Sequence, residues 1–299
     1  MYTRFSPEEL EEVKEHFRNA NYWIVGLSVF LSMLSHLFRA YRWNFLLEPL
    51  GYKPALLNNY MAVSVAYFMN IFIPKSGEVS RGVVINRYEK VPFEKAFGTI
   101  ISERVVDLVL LFLFTVVAFI LQFDALWAYT KDIVEPSKLY PLAGAGVLGL
   151  VVLILFLKYS KSAFRNKVVK FLLGLKEGLL SVFKMKRKWS FIFWTLVIWT
   201  LYISAFYVAT LALKETAGIP VGTVVISFVV GSFAFAFTNS GFGAYPISVA
   251  GILAVFSVPE TAGAAFGWIV WISHIAMIIL FGVLSFIFLP IYNRRRGAA

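Results

Sequence analysis

Long apolar runs, separated by short polar stretches, recur along most of the chain. They lie at about 20–38, 56–73, 93–123, 138–158, 189–213, 219–237, 243–257 and 260–289. A helix of about 20 mostly apolar residues crosses the hydrocarbon core of a bilayer. The pattern therefore predicts an all-α protein, a polytopic transmembrane helical bundle that forms a single integral membrane domain over 1–299.

Three of these segments look too short or too polar to cross a bilayer as ordinary helices. The run 56–73 contains three asparagines and continues, after Pro74 and Gly77, into 77–92; the runs 219–237 and 243–257 are separated by the sequence TNSGFG. We interpret each pair as a broken, re-entrant hairpin, the first entering from the cytoplasm and the second from outside. The halves 20–158 and 189–289 would then be inverted repeats, and transporters often bind substrate at such interrupted helices. The alternative is a set of full spans, with the N-terminus inside and Arg39 and Arg42 outside.

The composition supports a membrane location. The chain is 59% hydrophobic and 15% charged, whereas soluble domains have roughly 45–50% apolar and about 25% charged residues. The net charge of +11 comes partly from the basic loop between the halves. We predict that 159–188 forms a basic amphipathic helix on the cytoplasmic surface, and that Arg294–Arg296 place the C-terminus on the same side.

Charged residues in two stretches need partners inside the membrane. In the turn 73–81, Ser76 is placed to cap the next helix, and Glu78 and Arg81 share a helical face; this is either a surface ion pair or a charged turn that meets a lipid headgroup. Glu103, Arg104 and Asp107 enter an apolar run, where an ionised group costs roughly 2.5–3.5 kcal/mol. Candidate partners are Arg42, Arg81 and Glu78, and a purely structural ion cluster is the alternative.

Two further stretches are candidate anion sites. In 238–246, two glycines and a proline interrupt the helix, which frees backbone N–H groups; the residues of interest are Asn239, Ser240, Gly241, Gly243 and Tyr245. At the end of the first apolar run, Arg39, Arg42 and Trp43 form a basic and aromatic collar. Such a collar either anchors the helix at the membrane interface or binds phosphate.

The sequence gives little support for metal binding, cofactor binding or catalysis. The chain has no cysteine and three histidines, so we expect no metal site and no cofactor. His36 and His274 are interpreted as packing residues. Because no nucleophile accompanies the carboxylates, we expect that the protein is not an enzyme.

The stretches RAYRW at 39–43, FMNIFIPKSGEVSRG at 68–82, ERVVD at 103–107 and SGFGAYP at 240–246 together resemble the transmembrane region of lysylphosphatidylglycerol synthases, a flippase-like family. The resemblance implies handling of lipid headgroups, aminoacylated phosphatidylglycerol being the best-known substrate. It is closest to a stand-alone membrane module without the aminoacyl-transferase domain, in a bacterial cytoplasmic membrane.

Two hypotheses follow. In the first, the protein is a transporter that moves a phospholipid or lipid-linked head group between leaflets, and its substrate site is formed by Arg39, Arg42, Glu78, Arg81, Glu103, Arg104, Asp107, Asn239, Ser240, Gly241, Gly243 and Tyr245. Its partners would be membrane lipids, either anionic or aminoacylated phospholipids or a polyprenyl-phosphate-linked substrate, and not nucleic acid. In the second, the protein binds lipid without transport and assists a membrane synthase or glycosyltransferase; association with such an enzyme or with a second copy fits either hypothesis.

Overall fold

The computed structural model describes residues 5–127 and 185–296, together with residues 165, 166, 169 and 173. Within this part the secondary structure is helical, which confirms the all-α class. The helices are α1 (Pro7–Asn19), α2 (Tyr22–Leu47), α3 (Leu56–Phe72), α4 (Gly77–Glu89), α5 (Phe93–Leu121), α6 (Lys188–Thr210), α7 (Val221–Phe237), α8 (Ala244–Val255) and α9 (Glu260–Arg295). The predicted span 138–158 and most of the predicted basic helix 159–188 lie outside the described residues.

Within the described part of the chain, four segments are long and apolar enough to cross a membrane: α2 with the short 3₁₀ helix that follows it, α5, α6 and α9. Their outward faces carry large apolar side chains, such as Phe112 and Ile120 on α5, which are 65% and 68% exposed. A bundle surrounded by lipid requires apolar side chains on its outside, because lipid tails replace water there. The chain is therefore an integral membrane protein.

The N-terminal helix α1 begins with a capping box. Oγ of Ser6 accepts a hydrogen bond from the backbone N–H of Glu9, and a carboxylate oxygen of Glu9 accepts one from the N–H of Ser6, at 3.2 and 2.7 Å. These two bonds satisfy N–H groups that have no partner within the helix. Val13 of α1 is buried in a cluster with residues of α9, so this polar helix is attached to the bundle.

Helix α2 is longer than its apolar run predicted. The run ends at residue 38, but the helix continues to Leu47. Arg39, Arg42 and Trp43 are 3%, 0% and 0% exposed, so the interpretation of this collar as an interface anchor is wrong. The helix can continue because α5 supplies carboxylates to both arginines, and paired charges are tolerated inside a membrane protein.

The four short helices form two hairpins, as predicted. Hairpin 1 consists of α3, the turn 73–76 and α4; hairpin 2 consists of α7, the turn 238–243 and α8. The longest of these helices has 17 residues, or about 26 Å at 1.5 Å per residue. This is shorter than the roughly 30 Å hydrocarbon core, so none of the four crosses it alone.

The hairpins enter from opposite sides of the bundle. Helices α2 and α6 are antiparallel, since Ser28 bonds to Ala205 near one end and Arg42 to Thr195 near the other. Hairpin 1 begins beside the end of α2, where Asn59 donates to Asn44 at 2.7 Å. Hairpin 2 follows the end of α6, which lies beside the start of α2. The alternative of full spans is therefore wrong for these segments.

The order of helix lengths also repeats. Helices α2 to α5 have 26, 17, 13 and 29 residues, and α6 to α9 have 23, 17, 12 and 36. Each series is a long helix, a hairpin of two short helices, and a second long helix. Because the first helices of the two series are antiparallel, the halves have inverted orientations.

Helix α9 packs along both hairpins through glycines. A Cβ atom at Gly267 would lie 2.8 Å from Cα of Pro246 in hairpin 2, and one at Gly282 would overlap Phe68 in hairpin 1. Near its end, Asn293 bonds to Asn58 at 2.8 Å. One helix of the second half thus supports both hairpins.

Glu89 joins the two arms of hairpin 1 where they leave the bundle. Its Oε1 accepts hydrogen bonds from the backbone N–H of Ala55 at 3.1 Å, from Asn58 at 2.5 Å and from Arg296 at 2.8 Å. Arg296 immediately follows α9. Hairpin 1 is therefore held at its base by the start of α3, the end of α4 and the end of α9.

The predicted cap of α4 is wrong. The hydroxyl of Ser76 donates backwards to the carbonyl oxygens of Ile73 and Met69, at 2.7 and 3.1 Å. The first N–H of α4, on Gly77, donates instead to Oδ1 of Asn70 at 2.7 Å. The sequence correctly predicted that a polar side chain caps the start of α4. That side chain is Asn70, from the other arm of the hairpin, and not Ser76.

Candidate functional site

A buried ion cluster joins α2, α4 and α5. Glu103 accepts hydrogen bonds from Arg39 at 2.7 Å and from Arg81 at 2.9 Å. Asp107, one turn further along α5, accepts from Arg39 at 2.7 Å and from Arg42 at 3.0 Å. Arg42 also lies 3.1 Å from Glu103. The predicted need of these carboxylates for internal partners is confirmed, and Arg42 and Arg81 are among them.

The cluster carries an excess of one positive charge, since three guanidinium groups face two carboxylates. Neutral groups satisfy part of the remaining donors: Tyr202 accepts two hydrogen bonds from Arg39 at 3.1 and 3.2 Å, and Thr195 accepts one from Arg42 at 2.9 Å. Arg81 lies 3.8 Å above the ring of Trp43, a position in which the ring's electrons attract a cation. Each arginine is therefore held in place by two or more independent contacts.

Arg104 belongs to a second ion pair. Its Nε lies 3.0 Å from Oε1 of Glu78, so the third predicted partner is also confirmed. The direction of Arg104 differs from that of Glu103 by about 100°, because the two are neighbouring residues of one helix. Of the two interpretations of Glu78 and Arg81, the surface ion pair between them is wrong, because they contact different residues of α5.

The tips of the two hairpins meet inside the bundle. Asn239 donates to the carbonyl oxygen of Ile71 at 3.1 Å, and Ser240 donates to that of Asn70 at 3.2 Å. Trp271 of α9 donates to the carbonyl oxygen of Ser240 at 2.8 Å. These three bonds connect both hairpins and α9 at one point.

The two glycines of hairpin 2 allow the backbone to form the turn. Gly241 and Gly243 have φ of +73° and +69°, a region that strongly favours residues without a Cβ atom. A Cβ at Gly241 would also lie 3.0 Å from Cβ of Tyr245. The predicted break in the helix is confirmed, and the two glycines position Asn239, Ser240 and Tyr245.

A cavity of about 940 Å³ lies beside the joined tips. Of the predicted site residues, six line it: Arg39, Glu78, Arg104, Asn239, Ser240 and Tyr245. The other six are placed behind its wall, in the ion cluster (Arg42, Arg81, Glu103 and Asp107) or in the turn (Gly241 and Gly243). Direct contact of this second group with a substrate stays a prediction; their packing fixes the residues that do line the cavity.

The lining combines positive charge with aromatic surface. Its charged side chains are Arg39, Lys75 and Arg104 against one carboxylate, Glu78. Its aromatic residues include Tyr67, Trp199, Tyr202, Phe206, Phe228, Phe235, Tyr245 and Trp271. A compartment with this lining favours an anionic group beside an apolar one.

Exposed apolar side chains form part of the cavity wall. Val79, Ile101 and Phe237 line the cavity and are 47%, 44% and 78% exposed. They belong to α4, α5 and the end of α7, near the hairpin tips. Apolar side chains at this position suit contact with lipid tails.

Several lining residues had no assigned role in the sequence. His36, interpreted as a packing residue, lies on α2 three residues before Arg39 and therefore on the same helical face; His274 faces the cavity from α9. The spacing of His36 and Arg39 in the sequence could have indicated that His36 belongs to the site. Nothing in the sequence connects His274 to the site. Among the described residues, no group of three or more metal-ligating side chains is present.

Comparison with known proteins gives one family. The family model described as "Lysylphosphatidylglycerol synthase TM region" matches residues 2–291. The UPF0104 membrane protein MJ1595 of Methanocaldococcus jannaschii is 25% identical over 312 residues, covering 95% of this chain and 89% of that protein. No solved structure gives a significant match.

Proposed function

Since the chain belongs to the lysylphosphatidylglycerol synthase transmembrane-region family, we propose that it is a flippase-like transporter that moves a lipid with an anionic head group between the two leaflets. The lipid enters the cavity sideways, places its phosphate near Arg39 and Arg104, and keeps its tails in the membrane. The lipid itself is not chemically changed, so the protein is not an enzyme.

The observation that supports this proposal best is the cavity itself. A phosphate in a hydrocarbon layer loses its hydration, and this loss is compensated only by charge and hydrogen bonds from the protein. Lys75 and the excess positive charge of the ion cluster to which Arg39 belongs provide the charge, while Arg104 is paired with Glu78. Asn70, Asn239 and Ser240, also in the lining, provide polar atoms at the hairpin tips.

The inverted hairpins support transport rather than static binding. The two hairpins enter the bundle from opposite sides, and two hydrogen bonds, at 3.1 and 3.2 Å, join their tips. A net hydrogen bond contributes only about 0.5–1.5 kcal/mol. Separation of the tips is therefore inexpensive, and each hairpin could withdraw in turn to expose the cavity to one leaflet.

The distribution of charge supports one orientation in the membrane. The end of the bundle at the base of hairpin 1 is rich in basic residues, namely Lys53, Arg87, Lys90, Lys95, Lys186, Arg187, Lys188, Arg294, Arg295 and Arg296. The opposite end contains the acidic helix α1, Glu215 and Glu260. By the positive-inside rule a basic end favours the cytoplasmic side. This supports our proposal of a cytoplasmic C-terminus in a bacterial cytoplasmic membrane.

A transport assay in sealed liposomes tests the proposal. The purified protein is reconstituted with trace fluorescent phosphatidylglycerol, and dithionite added outside destroys the probe of the outer leaflet. We expect that the protein exposes the inner-leaflet probe to dithionite, and that Arg104→Gln slows this by about tenfold, because a charged hydrogen bond is worth about 1.5–3 kcal/mol. Arg87→Gln is the matched control, since Arg87 is exposed at the base of hairpin 1.

The same experiment separates the two hypotheses. If the protein binds the fluorescent lipid but leaves its leaflet distribution unchanged, the accessory, lipid-binding function replaces the proposed one. Polyprenyl-phosphate and aminoacylated probes are tested in parallel, because the three lipids share the phosphate but differ in the attached group. An equal effect of Arg104→Gln and Arg87→Gln would contradict the role of the cavity.

A further inference from the structure

Two histidines from opposite halves of the chain face each other in the wall of the cavity. The ring of His36 on α2 lies 5.9 Å from that of His274 on α9, nearly perpendicular to it. His36 also stacks on Tyr67 of α3, with ring centres 4.3 Å apart and an angle of 7° between the planes. Phe235 of α7 packs against His274 at 5.7 Å. The two imidazoles are thus fixed by aromatic contacts.

The nitrogen atoms of these rings have no hydrogen-bond partner among residues 5–127 and 185–296. These nitrogens are not among the fully buried polar atoms that lack a partner, so they are accessible from the cavity, and polar groups inside folded proteins are almost always hydrogen-bonded. Both residues line the cavity, so the partners of their nitrogens come from its contents, either water or a bound ligand. A packing role alone would not require an imidazole here.

We propose that His36 and His274 form a proton-binding site, which takes up one proton when an anionic lipid head group occupies the cavity. The inference rests on the proposed function, because the anion is the transported head group. The proton comes from the surrounding water and binds one imidazole nitrogen. Protonation of the second imidazole, whose ring centre lies 5.9 Å away, is then opposed by the positive charge of the first. The pair therefore takes up one proton rather than two.

The linkage follows from the charged and titratable side chains that line the cavity together with the two histidines. They are Arg39 on α2, Tyr67 on α3, Lys75 and Glu78 at the start of α4, Arg104 on α5, Tyr202 on α6 and Tyr245 on α8. Helix α7 contributes Ser232 and aromatic residues. The empty cavity is therefore positive, which opposes another cation. A phosphate between Arg39 and Arg104 offsets that charge, and the opposition to a proton is removed.

Binding linkage is reciprocal. If the anion promotes proton uptake, then a lower pH must strengthen binding of the anion, within the range in which histidines titrate. The protein would carry the head group and the proton together, so a proton gradient across the membrane would favour one direction of lipid movement. The histidines of the two halves would act as one site only while both halves enclose the cavity.

Isothermal titration calorimetry tests this directly. Dihexanoyl-phosphatidylglycerol is titrated into the detergent-solubilised protein at pH 7, in phosphate-free buffers with different enthalpies of ionisation. The slope of binding heat against buffer enthalpy gives the number of protons taken up. We expect about one proton per bound lipid, and a slope near zero in the double variant His36→Gln with His274→Gln, because either imidazole can hold the proton. His16→Gln is the matched control, since the remaining histidine of this chain lies on α1 beside Glu12 and Glu215.

The outcomes separate the two proposals. Binding with the same heat in every buffer overturns the proton site and leaves the transporter intact, whereas absence of binding overturns both. An unchanged slope in the double variant, or a loss in His16→Gln, also overturns the site. Should the double variant fail to fold, imidazole ¹⁵N spectra of the His16→Gln protein decide: the signal of at least one of its two histidines must change toward the protonated form on lipid addition at constant pH.

Discussion

Nη2 of Arg81 donates to Oε2 of Glu103 at 2.9 Å, and this bond connects the second arm of hairpin 1 to the long helix α5. Arg81 is 2% exposed and Glu103 0%. Glu103 also accepts from Arg39 on α2. A single carboxylate therefore fixes a re-entrant helix against two membrane-spanning helices, and the cavity beside it depends on that arrangement.

We expect that Glu103→Gln destabilises the protein by about 3–5 kcal/mol, the usual cost of leaving buried charges without their partner. The substitution leaves three arginines against Asp107 alone. Thermal unfolding in detergent, followed by loss of the monodisperse gel-filtration peak, measures the effect.

Glu94→Gln is the control for this prediction, because Glu94 is an exposed carboxylate on the same helix. We expect little change there. Adding Arg81→Gln to Glu103→Gln removes one unpaired charge and should recover part of the lost stability. A midpoint that is unaffected by Glu103→Gln would show that the cluster does not support the fold.

The contact between α9 and hairpin 2 predicts a different response at two glycines. At Gly267 a Cβ would lie 2.8 Å from the backbone of Pro246, whereas at Gly251 in α8 it would meet nothing within 4 Å. Gly267→Ala should cost about 1–3 kcal/mol through overpacking. Gly251→Ala should be neutral or stabilising by up to about 1 kcal/mol, because alanine favours the helix. Equal unfolding midpoints for the two variants would contradict the packing.

A designed disulfide tests whether hairpin 2 moves during transport. A Cβ at Gly263 would lie 3.7 Å from that of Ala250, within the 3.5–4.5 Å typical of disulfides, and the chain has no cysteine of its own. Ala250→Cys combined with Gly263→Cys should form the bond under mild oxidation and stop lipid movement, and a reductant should restore it. The single variants are the controls. Full transport by the cross-linked protein would mean that hairpin 2 stays fixed on α9.

The proposed orientation is tested by labelling in intact cells. Because the native chain lacks cysteine, Glu11→Cys, Lys90→Cys and Arg294→Cys each introduce a single thiol. A membrane-impermeant maleimide should label the first from outside and reach the other two only after the membrane is opened. The reverse pattern would place the acidic end in the cytoplasm.

The sequence by itself determined the membrane character, the class and most helix bounds. The runs at 56–73, 219–237 and 243–257 were close to α3, α7 and α8, because proline, glycine and short apolar length act locally on the backbone. It also determined that Glu103 and Asp107 require internal partners, since an unpaired charge in hydrocarbon is costly wherever the chain folds.

The tertiary structure decided where α2 ends and which charges meet. Arg39 and Glu103 are 64 positions apart in the sequence. The apolar pattern around Arg39 therefore does not indicate which carboxylate pairs with it. In the same way, only the crossing of α2, α3 and α9 brings His36, Tyr67 and His274 together. Hydrophobic periodicity reflects each helix's own surroundings, whereas a polar site inside a membrane depends on pairs of residues from different helices, and packing alone selects those pairs.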